Sequence, residues 1–425
     1  MSIFVQIAAY RDPQLIPTIE DLLSKARRPD ELTVAICRQF KKDDTFDNLD
    51  YYRKDPRFKI IDVDHKISAG VGWARNSIQQ LYSGETYTLQ IDSHSRFANN
   101  WDDEMITMIS SLQDQGIEKP ILTGYPASFE LEKEQNINMN APALQMILTH
   151  FSPEGIPMCE AETIPDWQTL SAPVLSRFYS AGFCFTLGSF CIDVKHDPEV
   201  YFIGEEISIA VRAYTNGYDL FHPNKMLVWH QYIREGMPKQ WDDDSAWQAK
   251  HQKSIKKIQN LLGINLGQPA IEGEYGLGTK RTLESYEIYA GIDFYKIAIQ
   301  KDVINKDLPI LTDSKTKTKE WYEGLFNYYV LEIEIDWKIK DLVKYILFAV
   351  FDLSNNNIYE SRIRANEWEN NAMISNRKIN VKFFASQYPA KWIARFVDKK
   401  GAVIQLIKSY TLFNPEGKAL FKCNL

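Results

Sequence analysis

The chain has 425 residues, a net charge of −7 and an apolar share of 44%, which predicts more than one buried core. No run approaches the roughly 18 uninterrupted apolar residues that cross a bilayer. The opening MSIFVQIAAYRDP lacks the basic start and small-residue cleavage site of a secretory leader, so a cytoplasmic protein without a transmembrane segment is expected. Acidic balance and the lack of a basic-aromatic motif argue against nucleic acid as a partner.

In chain order, SIFVQIAAY is a short apolar run rich in β-formers, followed by a helix over about 14–26 with Leu15, Ile16, Ile19, Leu22 and Leu23 on one face. ELTVAICRQF and RFKIIDVDH predict two further strands, then a helix over about 71–82 and a fourth strand in ETYTLQIDSH. This alternation predicts an α/β layer with a mostly parallel sheet, whose chemistry gathers at the carboxyl ends of its strands. Residues 151–190 read as loop-rich and end in AGFCFTLGSF. A helix over about 205–216 and a short strand in LVWHQYIR follow, then charged, glycine-bearing loops around a helix at about 244–261.

The pattern changes after residue 306. DLPILTDSKTKTKE (307–320) reads as a linker between a catalytic domain at 1–306 and a domain at 321–425. LEIEIDWKI, KYILFAVFDLS, KINVKFFAS, KWIARFVDKKG and AVIQLIKSYTLF are strands without intervening helices, which predicts a small β-sandwich. Residues 336–425 hold 15 Lys+Arg against 8 Asp+Glu, while the preceding 335 hold 34 against 48. An acidic larger part suits a cation-using site, and a basic end domain fits an anionic partner, docking on the acidic part or an oligomer contact. Cys37, Cys159, Cys184, Cys191 and Cys423 form no CxxC pair and read as free thiols.

The sharpest chemical signal is Gln90-Ile91-Asp92-Ser93-His94-Ser95-Arg96-Phe97, an apolar strand ending in a carboxylate and an imidazole two residues apart. Alternate residues of extended chain point the same way, so Asp92 and His94 fit one ion. Mixed oxygen and imidazole donors suit Mn²⁺ (or Mg²⁺), which offsets charge on a departing diphosphate. His230 in Val228-Trp229-His230 is the candidate third ligand, with His65, His196, His222 and His251 as competitors. Glu205 and Glu206 open a helix, where carboxylates are favoured by the dipole; either one is also placed to meet a sugar or an acceptor hydroxyl. Ser68-Ala69-Gly70-Val71-Gly72-Trp73-Ala74-Arg75-Asn76 offers small residues and helix-start amides to an anion. Tyr275-Gly276-Leu277-Gly278-Thr279-Lys280-Arg281 is a glycine loop ending in two cations, suited to folding over a diphosphate.

Together AAYRDPQL, SAGVGWARN, QIDSHSRF with Trp101-Asp102, FIGEE, VWH and YGLGTKRTLESYEIYAGIDF resemble the family 60 glycosyltransferases over about residues 1–295. That family includes cytoplasmic enzymes that add GlcNAc to hydroxyproline of a ubiquitin-ligase adaptor. The resemblance implies a GT-A fold, a UDP-GlcNAc donor, a divalent ion and retention of anomeric configuration. It implies Asp92, His94 and His230 as metal ligands, the last as in the related polypeptide GalNAc-transferases. It also implies that Arg11 and the loop of Ser68, Ala69, Gly70, Gly72, Arg75 and Asn76 hold the uridine side, with Asp92 and Ser93 at the donor. Glu205 or Glu206 would then face sugar and acceptor. Tyr275, Gly276, Gly278, Lys280 and Arg281 would form the lid, with Arg281 stabilising the leaving group. The acceptor is a hydroxyl on a protein or a glycan. Rival readings are a hexosyl- or GalNAc-transferase acting on a glycan or polysaccharide, a metal-dependent hydrolase, and a non-catalytic carbohydrate-binding protein.

Overall fold

The apolar opening run forms β1 (Ile3–Tyr10), which lies between β4 (Tyr87–Asp92) and β2 (Leu32–Phe40), with β3 (Phe58–Asp64) beyond, all parallel. These strands read as unbroken apolar runs because both faces are covered. Ile3, Val5 and Ile7 pack with Leu15, Ile19 and Leu22 of α1 (Leu15–Lys25), while Phe4 packs on the other side with Ala74 and Ile78 of α2 (Val71–Gln79). The first core also takes Trp101, Met105, Ile109 and Leu112 of α3 (Trp101–Asp114), a helix absent from the chain-order reading although its apolar residues recur every three or four positions.

Beyond β4 the sheet continues with Phe183–Leu187, Pro120–Thr123, Asp219–His222 and Val174–Leu175. The first and last of these run against β4 and the others with it, so six of eight strands share one direction. The carboxyl ends of β1, β2 and β4 therefore open on one edge. Residues read as loop at 151–163 instead close an antiparallel hairpin, Leu144–Phe151 with Pro157–Thr163. A register shift between Leu148 and His150 breaks the alternation that would have marked the first strand.

The structure, a computed structural model, describes residues 1–311, 314–334, 342–364, 378–410 and 418–422. The chain divides into two units, Met1–Ala290 with Lys306–Thr316, and Gly291–Asn305 with Lys317–Leu425. In the second unit, Phe326–Glu334 pairs with Lys378–Ala385 in one sheet, and Val343–Phe351, Asn357–Arg364, Lys391–Asp398 and Val403–Tyr410 form another. Leu331, Ile333, Val381 and Phe383 of the first sheet share a core with Ile346, Phe348, Trp392 and Phe396 of the second, a β-sandwich arrangement. The strand expected at 331–339 begins earlier, and its residues from 335 lie outside the described part, as do 411–413. Cys37, Cys184 and Cys191 are buried free thiols and Cys159 is half-buried; Cys423 lies outside the described residues. No helix among the described residues is long and apolar enough to cross a membrane.

Candidate active site

β4 delivers Asp92 to the carboxyl edge of the sheet, and the strand Val228–His230 brings His230 beside it, with His230 Nε2 3.1 Å from Asp92 Oδ2. The His94 ring lies 4.5 Å from that of His230, centroid to centroid. One donor atom each from Asp92, His94 and His230 falls within 4.8 Å of the others. The His94 Nδ1–H donates to Asp12 Oδ2 at 2.7 Å, which leaves Nε2 as its free nitrogen. Asp12 is fully buried and also accepts from Ser93 Oγ at 2.6 Å and Arg234 at 3.1 Å. Burial alone would raise its carboxyl, but His94, Arg234 and Ser93 together hold it below the usual carboxylate range. One carboxylate and two imidazoles fit a divalent ion.

Arg75 is buried and bridges two carboxylates, donating to Asp92 Oδ1 at 2.8 Å and to Glu205 Oε1 at 2.5 Å. Glu205 Oε1 also lies 3.0 Å from His196 Nδ1. Against the upward push of burial, Arg75 and His196 keep Glu205 below its ordinary range. Glu206 behaves differently. It accepts from the Ala181 amide at 2.9 Å and the Tyr125 hydroxyl at 2.8 Å, and burial pushes its carboxyl up to about 7. The two adjacent acids thus diverge, one a salt-bridged anchor and the other poised near neutrality.

Two cavities meet at Asp92 and His230. One of about 500 Å³ is lined by Tyr10 and Gln39 at the ends of β1 and β2, by Gly70 before α2, and by Arg234, Lys239 and Trp241. The other, about 660 Å³, runs past Arg75, Glu205 and Glu206 to the hairpin residues Leu144, Met146 and Met158.

Several residues expected at the donor have partners within the chain. The Arg11 guanidinium is held by Asp44 at 2.7 Å and Asp243 at 2.8 Å. The α2 start is not an open anion cradle, because the Val71 and Gly72 amides donate to the Tyr201 and Val200 carbonyls. Gly72 is required by that packing: a Cβ there would sit 2.4 Å from two carbonyl oxygens. Ser68 Oγ donates to Gln39 Oε1 at 2.6 Å, orienting an amide that lines the smaller cavity; Ala69 follows it in the same loop. Asn76 donates to the His196 carbonyl at 2.7 Å, and Ser93 is held by Asp12.

The glycine loop is also displaced from the cluster. Lys280 and Arg281 donate backbone amides to Thr215 at the carboxyl end of the helix Glu205–Thr215, while Glu205 and Glu206 sit at its start. Arg281 pairs with Asp219 at 2.7 Å and lies over the Tyr214 ring. Asp219 begins its strand opposite Pro120, on the sheet edge away from Asp92. A Cβ at Gly278 would lie 2.5 Å from the Thr215 carbonyl, so this glycine serves close packing. Gly276 accepts from Arg212 through its carbonyl, and Tyr275 Oη contacts Asn76 at 3.4 Å.

The competing histidines do not converge on Asp92. His65 lies 3.2 Å from Asp64, and His251 is against Trp247. His222 donates from Nδ1 to the Thr123 carbonyl and accepts the Met146 amide, and burial holds it down at about 4. Asp12, Tyr125 and Arg234 are site residues the sequence reading did not single out; the only local sign of Asp12 was an acid following a strand end.

Similar solved structures include GalNAc-T7 with UDP, GalNAc and Mn²⁺ (16% identity, 62% of this chain and 48% of that chain, TM-score 0.45). Another is S. aureus TarS 1–349 in complex with UDP-GlcNAc (13% identity, 72% and 84% coverage, TM-score 0.37). A third is full S. aureus TarS (10% identity, 96% and 77% coverage, TM-score 0.37). The chain spans about half the length of GalNAc-T7. No curated protein sequence matches it. The model of the family described as Glycosyltransferase (GlcNAc) matches residues 2–56 and 50–296, which carry Asp92, His94, His230, Glu205 and Glu206; the chain belongs to that family.

Proposed function

We propose that this chain transfers GlcNAc from UDP-GlcNAc to a hydroxyl acceptor, with retention of configuration and with Mn²⁺ or Mg²⁺ held by Asp92, His94 and His230. The observation that carries this reading is the convergence of those three donors where two cavities meet, in a chain of the GlcNAc glycosyltransferase family. A bound ion would neutralise negative charge on the departing diphosphate. The smaller cavity suits the nucleotide: Tyr10 and Trp241 offer aromatic faces, and Lys239 with Arg234, itself paired with Asp12, supplies cations. The larger cavity suits the sugar and acceptor, with Arg75 and Glu205 as its rigid floor.

Given retention, the state of the carboxylates argues against a covalent glycosyl-enzyme intermediate. Glu205 is locked by Arg75 and His196, and Glu206 tends toward its neutral form, so neither is a ready nucleophile. Attack on the face the diphosphate leaves, with a phosphate oxygen taking the acceptor proton, needs no such group. Screening UDP-sugars for UDP release and thermal shift tests the donor: UDP-GlcNAc is expected to be turned over fastest. Preference for UDP-GalNAc or UDP-glucose would move the reading to another hexosyltransferase.

A further inference from the structure

We infer that the acceptor is an uncharged alcohol with an alkyl or aryl face, bound against the hairpin Leu144–Thr163, and that anionic acceptors are disfavoured. The inference rests on the transferase reading of the same site and adds the chemistry of its second substrate.

The larger cavity begins at the metal-binding cluster and leads away from the nucleotide side to an apolar wall of Leu144, Met146, Ile156, Met158 and Phe178. Its volume of about 660 Å³ is within the range that takes drug-sized ligands, so a donor sugar at the cluster leaves room beside it. Among the described residues lining it, the one arginine is Arg75, and that side chain is held by Asp92 and Glu205. The remaining acids are Glu160 and Glu206, and none of the described lining residues is a lysine. A phosphate, sulfate or carboxylate entering here meets acids and apolar walls, which costs it hydration without a matching cation.

The wall is not featureless. Tyr125 and Glu206, hydrogen-bonded at 2.8 Å, make a polar spot on it that can meet a hydroxyl. Met146 and Met158 flank the approach, and their flexible thioethers adapt to apolar groups of varied shape. Met158 is then a specificity-determining residue.

The test uses the full chain with UDP-GlcNAc and Mn²⁺ and a panel of aryl and alkyl alcohols, each paired with its phosphate- or carboxylate-bearing counterpart. UDP release and product mass are read against release with no acceptor. Neutral members are expected to raise UDP release at least fivefold and to gain one sugar mass, while their anionic counterparts do not. Met158→Lys should shift the ratio of anionic to neutral rates at least fivefold toward the anions, and Met158→Leu should keep the wild-type ratio. Stimulation by the anionic members overturns the inference. So does basal donor hydrolysis that no neutral alcohol accelerates, or a Met158→Lys ratio equal to wild type. Loss of basal hydrolysis in the wild type would instead count against the transferase reading itself.

Discussion

The two cavities that meet at Asp92 and His230 are built from different material. The smaller one gathers strand ends, aromatic faces, Lys239 and Arg234, the latter paired with Asp12, beside the acids Asp12, Asp92 and Glu235. The larger one is walled by a β-hairpin of apolar side chains and carries acids whose one guanidinium partner is already held. On the proposed reading, the smaller cavity takes the donor and the larger one a poorly charged acceptor, on either side of Asp92 and His230. The difference also divides the acids: Glu205 belongs to the rigid floor, Glu206 to the apolar side.

Removing Arg75 breaks this division most severely. Arg75→Ala leaves Asp92 and the buried Glu205 without their shared cation, and a loss of about 3–5 kcal/mol is expected in urea unfolding. Unchanged stability would mean that the carboxylates do not depend on it.

Asp12 sharpens the donor side. Asp12→Asn keeps the shape but removes the charge that orients the His94 ring, so Mn²⁺ affinity followed by EPR titration should fall about 10–100-fold. Equal affinity would assign Asp12 to folding alone.

Glu206 sharpens the acceptor side through pH. Its folded carboxyl, raised to about 7 from 4.5, keeps a proton that the unfolded chain has released. Stability therefore falls as pH rises from about 4.5 to 7, by on the order of 3 kcal/mol at most. Glu206→Gln removes that slope, so the variant should gain relative to wild type between pH 5 and pH 7.5. Parallel pH profiles would show that the site hydrates Glu206 more than its burial implies.

The smallest effect is expected from Arg281→Ala. Because Arg281 pairs with Asp219 on the far sheet edge, turnover should stay within about twofold and stability should drop by about 1 kcal/mol. A large loss of turnover would restore the glycine loop as a lid over the diphosphate.

The parallel strands and the convergence of Asp92, His94 and His230 were legible because each rests on local pattern: apolar runs bounded by breaks, ending in side chains able to ligate. The roles of the two glycine loops were not. Gly72 and Gly278 look like phosphate-cradle residues in sequence, yet each answers to a carbonyl far along the chain, Val200 and Thr215. Asp12 escaped for the same reason, since its partner His94 is 82 positions away. The hairpin at Leu144–Thr163 was hidden by its bulge, and with it the apolar wall that gives the acceptor side its character.

The central claim is metal-dependent use of a UDP-sugar at Asp92, His94 and His230. It is tested most directly by UDP release from UDP-GlcNAc, with Mn²⁺ or with chelator, for the wild type and Asp92→Ala. The account predicts slow release that stops with chelator and falls at least about 100-fold in Asp92→Ala. Release indifferent to both, or no release and no thermal shift with any UDP-sugar, would contradict it.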